Sequence, residues 1–191
     1  MTTIFYDGEN LVADTCMLIP TTPSEFTKGV KIFRSQDNTF AYGWSGPEAV
    51  STESRIEEVE RALNLLCECL CSSKHLDRTP WEHYRKYIQD HLRSTLEGGI
   101  VDSLDFLLMT KAGAWSVAYY GSTRYICPIP LRSGTGSVGT GHGLIIGIHG
   151  QTKAVQESYR ILMTLDPLTN DELVVIPQDS LDPYVLGAIA G

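Results

Sequence analysis

The apolar residues of this chain change period in blocks, and that alternation restricts the fold more than any other feature. Two pairs of short β-prone runs come first. Thr3-Ile4-Phe5-Tyr6 and Leu11-Val12-Ala13 flank the turn signal Asp7-Gly8. Val30-Lys31-Ile32-Phe33 and Thr39-Phe40-Ala41-Tyr42 flank Gln36-Asp37-Asn38, while 18–24, with Pro20 and Pro23, reads as a loop. The period then becomes helical. Ile56, Val59, Leu63, Leu66, Cys67 and Leu70 recur at spacings of three, four and seven, which predicts an amphipathic helix over roughly 47–72. A second helix starts near Thr79, with Pro80 at its first position and Glu82 three residues after the cap. Trp81, Tyr84, Ile88 and Leu92 form its inner face, and Gly98-Gly99 ends it.

Strands return at 103–110, 114–120 and 125–129, with turns at Ala112-Gly113 and Gly121-Ser122. After a glycine-rich stretch over 133–143, helices are expected at about 142–149 and 152–165, the latter with Val155, Tyr159 and Leu162 inward. A last strand covers 172–176. Strands in blocks and helices in pairs predict sheets stacked between helix layers. A chain of 191 residues without repeats or long linkers is expected to form one domain, 1–191, with a sizeable core.

Composition excludes several function classes. The formal charge is -8 and no basic stripe gathers the lysines and arginines, so no nucleic-acid partner is expected. No apolar stretch approaches the ~18 residues of a membrane span, and no basic segment followed by an apolar one opens the chain. No membrane partner is expected, and the expected location is the cytoplasm. Five cysteines, Cys16, Cys67, Cys69, Cys71 and Cys127, form no disulfide framework. On a helix only Cys67 and Cys71 share a face, and no second Cys/His cluster completes a metal site. Core thiols, or crosslinks within an assembly, are the readings left for them. His75, His83, His91, His142 and His149 are scattered, and no Gly-Lys-[Ser/Thr] follows the glycines of 139–143. No metal and no cofactor is therefore expected.

The chemistry-bearing feature is the N-terminus. Removal of Met1 would expose Thr2, which then carries a hydroxyl and a free α-amine. An α-amine has a reference pKa near ~7.7–8.0, so it can take the hydroxyl proton close to neutrality.

Thr2-Thr3-Ile4, the turn at Asp7-Gly8 and Leu11-Val12-Ala13-Asp14 together resemble the opening of proteasome β subunits. They also resemble the peptidase subunit of the bacterial two-component ATP-dependent protease. Lys31-Ile32-Phe33 looks like the family's lysine before an aliphatic-aromatic pair, and Gly43-Trp44-Ser45-Gly46 like its glycine turn into the first helix. Gly139-Thr140-Gly141 resembles the Gly-Ser-Gly that opens the third helix, and Asp166-Pro167-Leu168-Thr169 the Asp-x-x-Ser that closes the site. The match runs along nearly the whole chain and is closest in look to bacteriophage-encoded proteasome-like proteins.

The resemblance implies an α+β fold, the four-layer αββα sandwich of the N-terminal nucleophile hydrolases. It implies Thr2 as nucleophile and Lys31 as the charge that lowers its pKa, with Asp14 pairing with Lys31. Gly43 N–H would be the oxyanion donor, and Asp166, Thr140 and Thr169 would hydrogen-bond around the terminal amine. Ala41 would lie near the pocket for the substrate side chain. A homo-oligomer is implied, with virion proteins or an ATPase unfoldase as further candidate partners.

The chain departs from the family at Asn170-Asp171, where active members carry two glycines, and at Thr140 and Thr169, where they carry serines. Retention of Met1 would leave Thr2 without a free amine. Two readings therefore stay open: a threonine-type peptidase or amidase, and a catalytically inactive structural subunit of the same fold, as in a phage virion.

Overall fold

The computed structural model describes residues 3–19, 22–45, 53–71, 103–120, 125–131 and 134–187. Twelve strands and three helices lie among them. One five-stranded sheet has the order β10-β1-β2-β11-β12. Its strands are β1 (Thr3–Tyr6), β2 (Asn10–Asp14), β10 (Gly136–Gly139), β11 (Leu173–Pro177) and β12 (Tyr184–Leu186). A second five-stranded sheet has the order β5-β6-β7-β8-β9. It contains β5 (Ile32–Arg34), β6 (Phe40–Ser45), β7 (Ser103–Thr110), β8 (Gly113–Tyr120) and β9 (Tyr125–Pro130). A two-stranded ribbon joins β3 (Cys16–Ile19) to β4 (Thr22–Lys28). The helices are α1 (Glu53–Cys71), α2 (His142–Thr152) and α3 (Val155–Leu165).

The chain divides into two compact units, one of 1–45, 106–116 and 130–191, the other of 46–105 and 117–129. In the first unit β1, β2 and β11 are buried on both faces, which is why they read as continuous apolar runs. Ile4, Tyr6, Leu11, Ala13, Val174 and Ile176 point one way, into a cluster with Ile32, Ala41, Leu107, Met109 and Ala114 of the other sheet. Phe5, Val12, Leu173 and Val175 point the other way, against Ile145 of α2 and Tyr159 and Leu162 of α3. The register that places these faces pairs Ile4 with Ala13 and Val174 with Ala13. In the second unit α1 buries Val59, Ala62, Leu63, Leu66 and Cys67 along one face, and Cys71 is exposed.

This arrangement corrects the expected four-layer αββα sandwich. The described residues are dominated by two antiparallel sheets, with one helix pair over one sheet of the first unit. The helix expected from Thr79 to the Gly98-Gly99 pair falls outside the described residues. Two local expectations also change. Of the stretch read as a loop over 18–24, 18–19 lie in β3 and 22–24 in β4, and the register of this ribbon shifts between Leu18 and Ile19. A bulge of this kind accepts Pro23, which has no N–H for the ladder. Gly43 lies within β6 rather than in a turn, opposite Ile32.

The Asp7-Gly8 turn forms as expected. Asp7 Oδ1 accepts the N–H groups of Glu9 at 2.8 Å and Asn10 at 2.6 Å, and Gly8 takes φ +109°. A cleft of about 550 Å3 at this end of the sheet is lined by Glu9, Asn10, Lys111, Gln178 and Asp179 among others. None of the expected site residues lines it. Among the described residues no helix is long and apolar enough to cross a membrane.

Candidate active site

Thr2, the expected nucleophile, lies outside the described residues. The neighbouring end of the sheet is described. β2 brings Asp14 to its last position, 1% exposed. The segment leading into β5 brings Lys31, which a Val-Lys-Ile-Phe run alone would place on a solvated edge. Instead Lys31 Nζ lies 2.7 Å from Asp14 Oδ2, with side chains 3% and 0% exposed. Asp14 Oδ2 also accepts the Cys16 N–H at 3.0 Å, while Asp14 Oδ1 takes no partner among the described residues. Burial pushes the Asp14 carboxyl above the usual carboxylate range, against the pull of the Lys31 charge and its hydrogen bonds. Burial likewise pushes the Cys16 thiol up, and the Asp14 charge adds to it.

Gly43 stands against the backbone of Lys31. A Cβ there would meet Ile32 Cγ2 and Ile4 Cδ1 at 2.8 Å and the Lys31 carbonyl oxygen at 2.9 Å, so only glycine lets β6 approach so closely. Ala41, on the same strand, is fully buried in the inter-sheet core.

The remaining expected residues fall in two places. Gly139, at φ +101°, pairs with Thr3 and turns the chain through Thr140 into α2. Thr140 itself is exposed. Asp166 ends α3, its N–H bonding the Leu162 carbonyl at 2.8 Å. Its carboxylate accepts the Leu168 N–H at 3.0 Å and the hydroxyl of the buried Thr169 at 3.5 Å. Asp14 and Lys31 thus form one cluster, with Gly43 against the Lys31 backbone, Asp166 and Thr169 form a second, and among the described residues Thr140 joins neither through a side-chain bond.

Sequence reasoning missed two residues that brace the elements carrying these clusters. Tyr159, fully buried on α3, donates its hydroxyl hydrogen between the Val12 carbonyl at 3.2 Å and the Thr3 carbonyl at 3.3 Å. Its inward position was legible from helical spacing, but the hydroxyl's target was not. Asn170 reaches Thr15, the residue between Asp14 and Cys16, with both arms of its amide. The one available signal was a polar residue standing where the family pattern has glycine. No cluster of residues suited to a metal occurs among the described residues.

No protein-family model matches the sequence, and no curated protein matches it. Solved structures do match. Anbu (ancestral beta-subunit) from Yersinia bercovieri aligns with a TM-score of 0.59 at 13% identity, covering 97% of this chain and 86% of that one. The chain is similar in fold to Anbu. The Gly-1 mutant of Anbu from Hyphomicrobium sp. strain MC1 gives a TM-score of 0.58 at 11% identity, with the same coverage of 97% and 86%. At such identities the likeness to Anbu is one of fold, and it carries no residue role across. It supports the β-subunit resemblance read from the sequence at that coarser level. A phage origin has no counterpart in these Anbu matches.

Proposed function

We propose that the chain is a proteasome-like threonine-type N-terminal nucleophile hydrolase, acting on amide or peptide bonds through Thr2 after removal of Met1, within a homo-oligomer. The observation that carries this reading is the buried Lys31–Asp14 ion pair, with Gly43 against the Lys31 backbone, in a chain with an Anbu-like fold. A buried ion pair rarely repays its desolvation with stability, so its place at the head of the first strands favours a chemical role.

In this reading the α-amine takes the Thr2 hydroxyl proton as Oγ1 attacks the substrate carbonyl. Lys31 favours the developing alkoxide, and Asp14 keeps the ammonium in place. Gly43 N–H stabilises the oxyanion. Collapse expels the amine, which takes the proton, and water then hydrolyses the Thr2 ester. Leu144 and Ile146 on α2 and Met163 and Leu165 on α3 are exposed, which favours burial of this helix pair in an assembly.

A second reading, an inactive structural subunit of the same fold, draws on the exposed Thr140 and on Asn170 in place of glycine. One experiment separates the two. Intact mass is measured first, with loss of Met1 expected. A peptide epoxyketone is then added to wild type, Thr2→Ala and Lys31→Ala. One adduct on wild type, none on Thr2→Ala and labelling slowed roughly a hundredfold in Lys31→Ala is the expected result. Retained Met1, or equal labelling of wild type and Thr2→Ala, overturns the hydrolase reading.

A further inference from the structure

We propose that Asn170 is a positioning residue: by clamping Thr15 it sets the orientation of the Asp14 carboxylate and, through it, of Lys31. The inference rests on the hydrolase reading for its catalytic meaning, but the geometry that supports it stands apart from any activity.

The starting point is the thin support of Asp14. Its Oδ1 has no partner among the described residues, so the carboxylate is oriented by the two bonds of Oδ2, from Lys31 Nζ and from the Cys16 N–H. The direction of the Cys16 N–H depends on the peptide that joins it to Thr15. Thr15 lies between β2 and β3 and belongs to neither strand. Backbone bonds at its N–H and its carbonyl hold it together with a set of side chains. Its N–H is shared between the Glu172 carbonyl at 3.1 Å and Asn170 Oδ1 at 3.2 Å. Asn170 Nδ2 donates to Thr15 Oγ1 at 3.1 Å, and that hydroxyl donates to Glu172 Oε2 at 2.9 Å. Lys28 Nζ closes the chain at 2.8 Å from Glu172 Oε2. On the other side the Thr15 carbonyl accepts the Gly29 N–H at 2.9 Å, which anchors the short segment that presents Lys31.

Thr15 is therefore a junction of three chain segments. Among the described residues, Asn170 is the one side chain that both gives to it and accepts from it. It also follows the Asp166–Thr169 turn directly, so it couples that turn to the ion pair. A glycine at 170 would leave the same backbone path without the clamp. Lys28 and Thr15 hold the Glu172 carboxyl below the usual carboxylate range through their hydrogen bonds, so the outer end of the network stays ionised in mild acid. Among the described residues, the titratable groups that interact with Asp14 are Lys31, Cys16 and Tyr159.

The test uses the full chain as wild type, Asn170→Ala, Asn170→Asp and Lys28→Ala. Asp14 is titrated by carboxyl-detected NMR, and hydrogen exchange of the Cys16 amide is followed. In Asn170→Ala the Asp14 midpoint is expected to fall toward the ordinary carboxylate value as water enters, and Cys16 exchange to speed up at least tenfold. Lys28→Ala, at the exposed end, is expected to leave both unchanged. Should Asn170→Ala fail to fold, Asn170→Asp keeps the acceptor for the Thr15 N–H and loses the donor to Oγ1; its Cys16 exchange is expected to speed up in smaller measure, while the added carboxylate pushes the Asp14 midpoint up. Unchanged titration and exchange in the folded Asn170 variants overturn the inference. Epoxyketone labelling forms a separate arm: Asn170→Ala is expected to label roughly ten- to a hundredfold more slowly, with its pH profile displaced. If wild type does not label, the hydrolase reading fails while the titration still decides the role of Asn170. If wild type labels and Asn170→Ala matches it in rate and pH profile, the positioning role fails alone.

Discussion

Gly141 lies so close to Thr3 that a Cβ at position 141 would sit 2.5 Å from Thr3 Oγ1 and 3.2 Å from Leu162 Cδ2. Gly141 takes φ -84°, open to any residue, so space and not backbone freedom demands glycine here. The contact seats the start of α2 on the first residue of β1, the strand that leads directly from Thr2. Thr3 cannot easily yield, because it is buried and β-branched. Gly141→Ala is expected to lower stability by about 1–3 kcal/mol in urea denaturation. Thr3→Ala removes the clashing hydroxyl, so the double variant is expected to lose less than the sum of the two. Simple additivity would show that the contact is not the cause.

The Asp14–Lys31 pair predicts a strongly coupled cycle. Asp14→Asn leaves a buried ammonium and Lys31→Met a buried carboxylate, so each alone is expected to cost about 3–5 kcal/mol. Asp14→Asn combined with Lys31→Met leaves no buried charge. The double variant is expected to be more stable than either single one, as read from denaturation midpoints.

The raised carboxyl of Asp14 gives this pair a signature in pH. A carboxyl whose folded pKa lies above its unfolded value, near ~3.9, binds its proton more tightly in the native state. Its contribution to stability is fully present below the unfolded pKa and is lost as pH rises through the folded one. The stability of wild type relative to Asp14→Asn is therefore expected to decline with rising pH from about 4 upward. Denaturation of both proteins at a series of pH values isolates this from the opposite trend of Glu172 and Asp37, whose carboxyls are held low. A flat difference would place Asp14 at its ordinary pKa.

Much of the fold was legible because turn chemistry and periodicity agreed. β1 covers Thr3–Tyr6, the run read from the sequence, and ends at the Asp7-Gly8 turn that Asp7 closes with its own side chain. α3 likewise buries Tyr159 and Leu162, two of the three residues its spacing put inward, and leaves the third, Val155, half-buried. β10 was missed because Gly136 and Gly139 mask a strand. Its Gly136 is required by space, since a Cβ there would meet Leu131 Cδ1 at 2.5 Å. β12 was missed because two of its three residues are exposed and it shows no buried face. At the candidate site, Asp14 and Lys31 could be named from a resemblance. The Thr15–Asn170 clamp could not, because it joins residues 155 positions apart through side-chain amide geometry that no local pattern encodes.

Tyr159 bridges the carbonyls of β1 and β2 from the helix side. Its phenol is fully buried, and burial together with the Asp14 charge holds its pKa well above the ordinary value of 10.0. The hydroxyl has one hydrogen for two carbonyls, those of Val12 and Thr3, and both belong to the strands that carry the site. Tyr159→Phe is expected to lower stability by about 1–2 kcal/mol, because the carbonyls lose their donor without gaining water. The wild-type phenol is also expected to stay protonated in the folded protein while the unfolded chain titrates near ~10. The native state then holds the extra proton, so stability is present below that pH and is lost as the pH rises above it. Absorbance at the phenolate band should show a component that ionises only with unfolding, and that component should shrink by one tyrosine in Tyr159→Phe, since Tyr42 is fully buried as well. A full complement of tyrosines titrating before unfolding would show that solvent reaches Tyr159 in the native state.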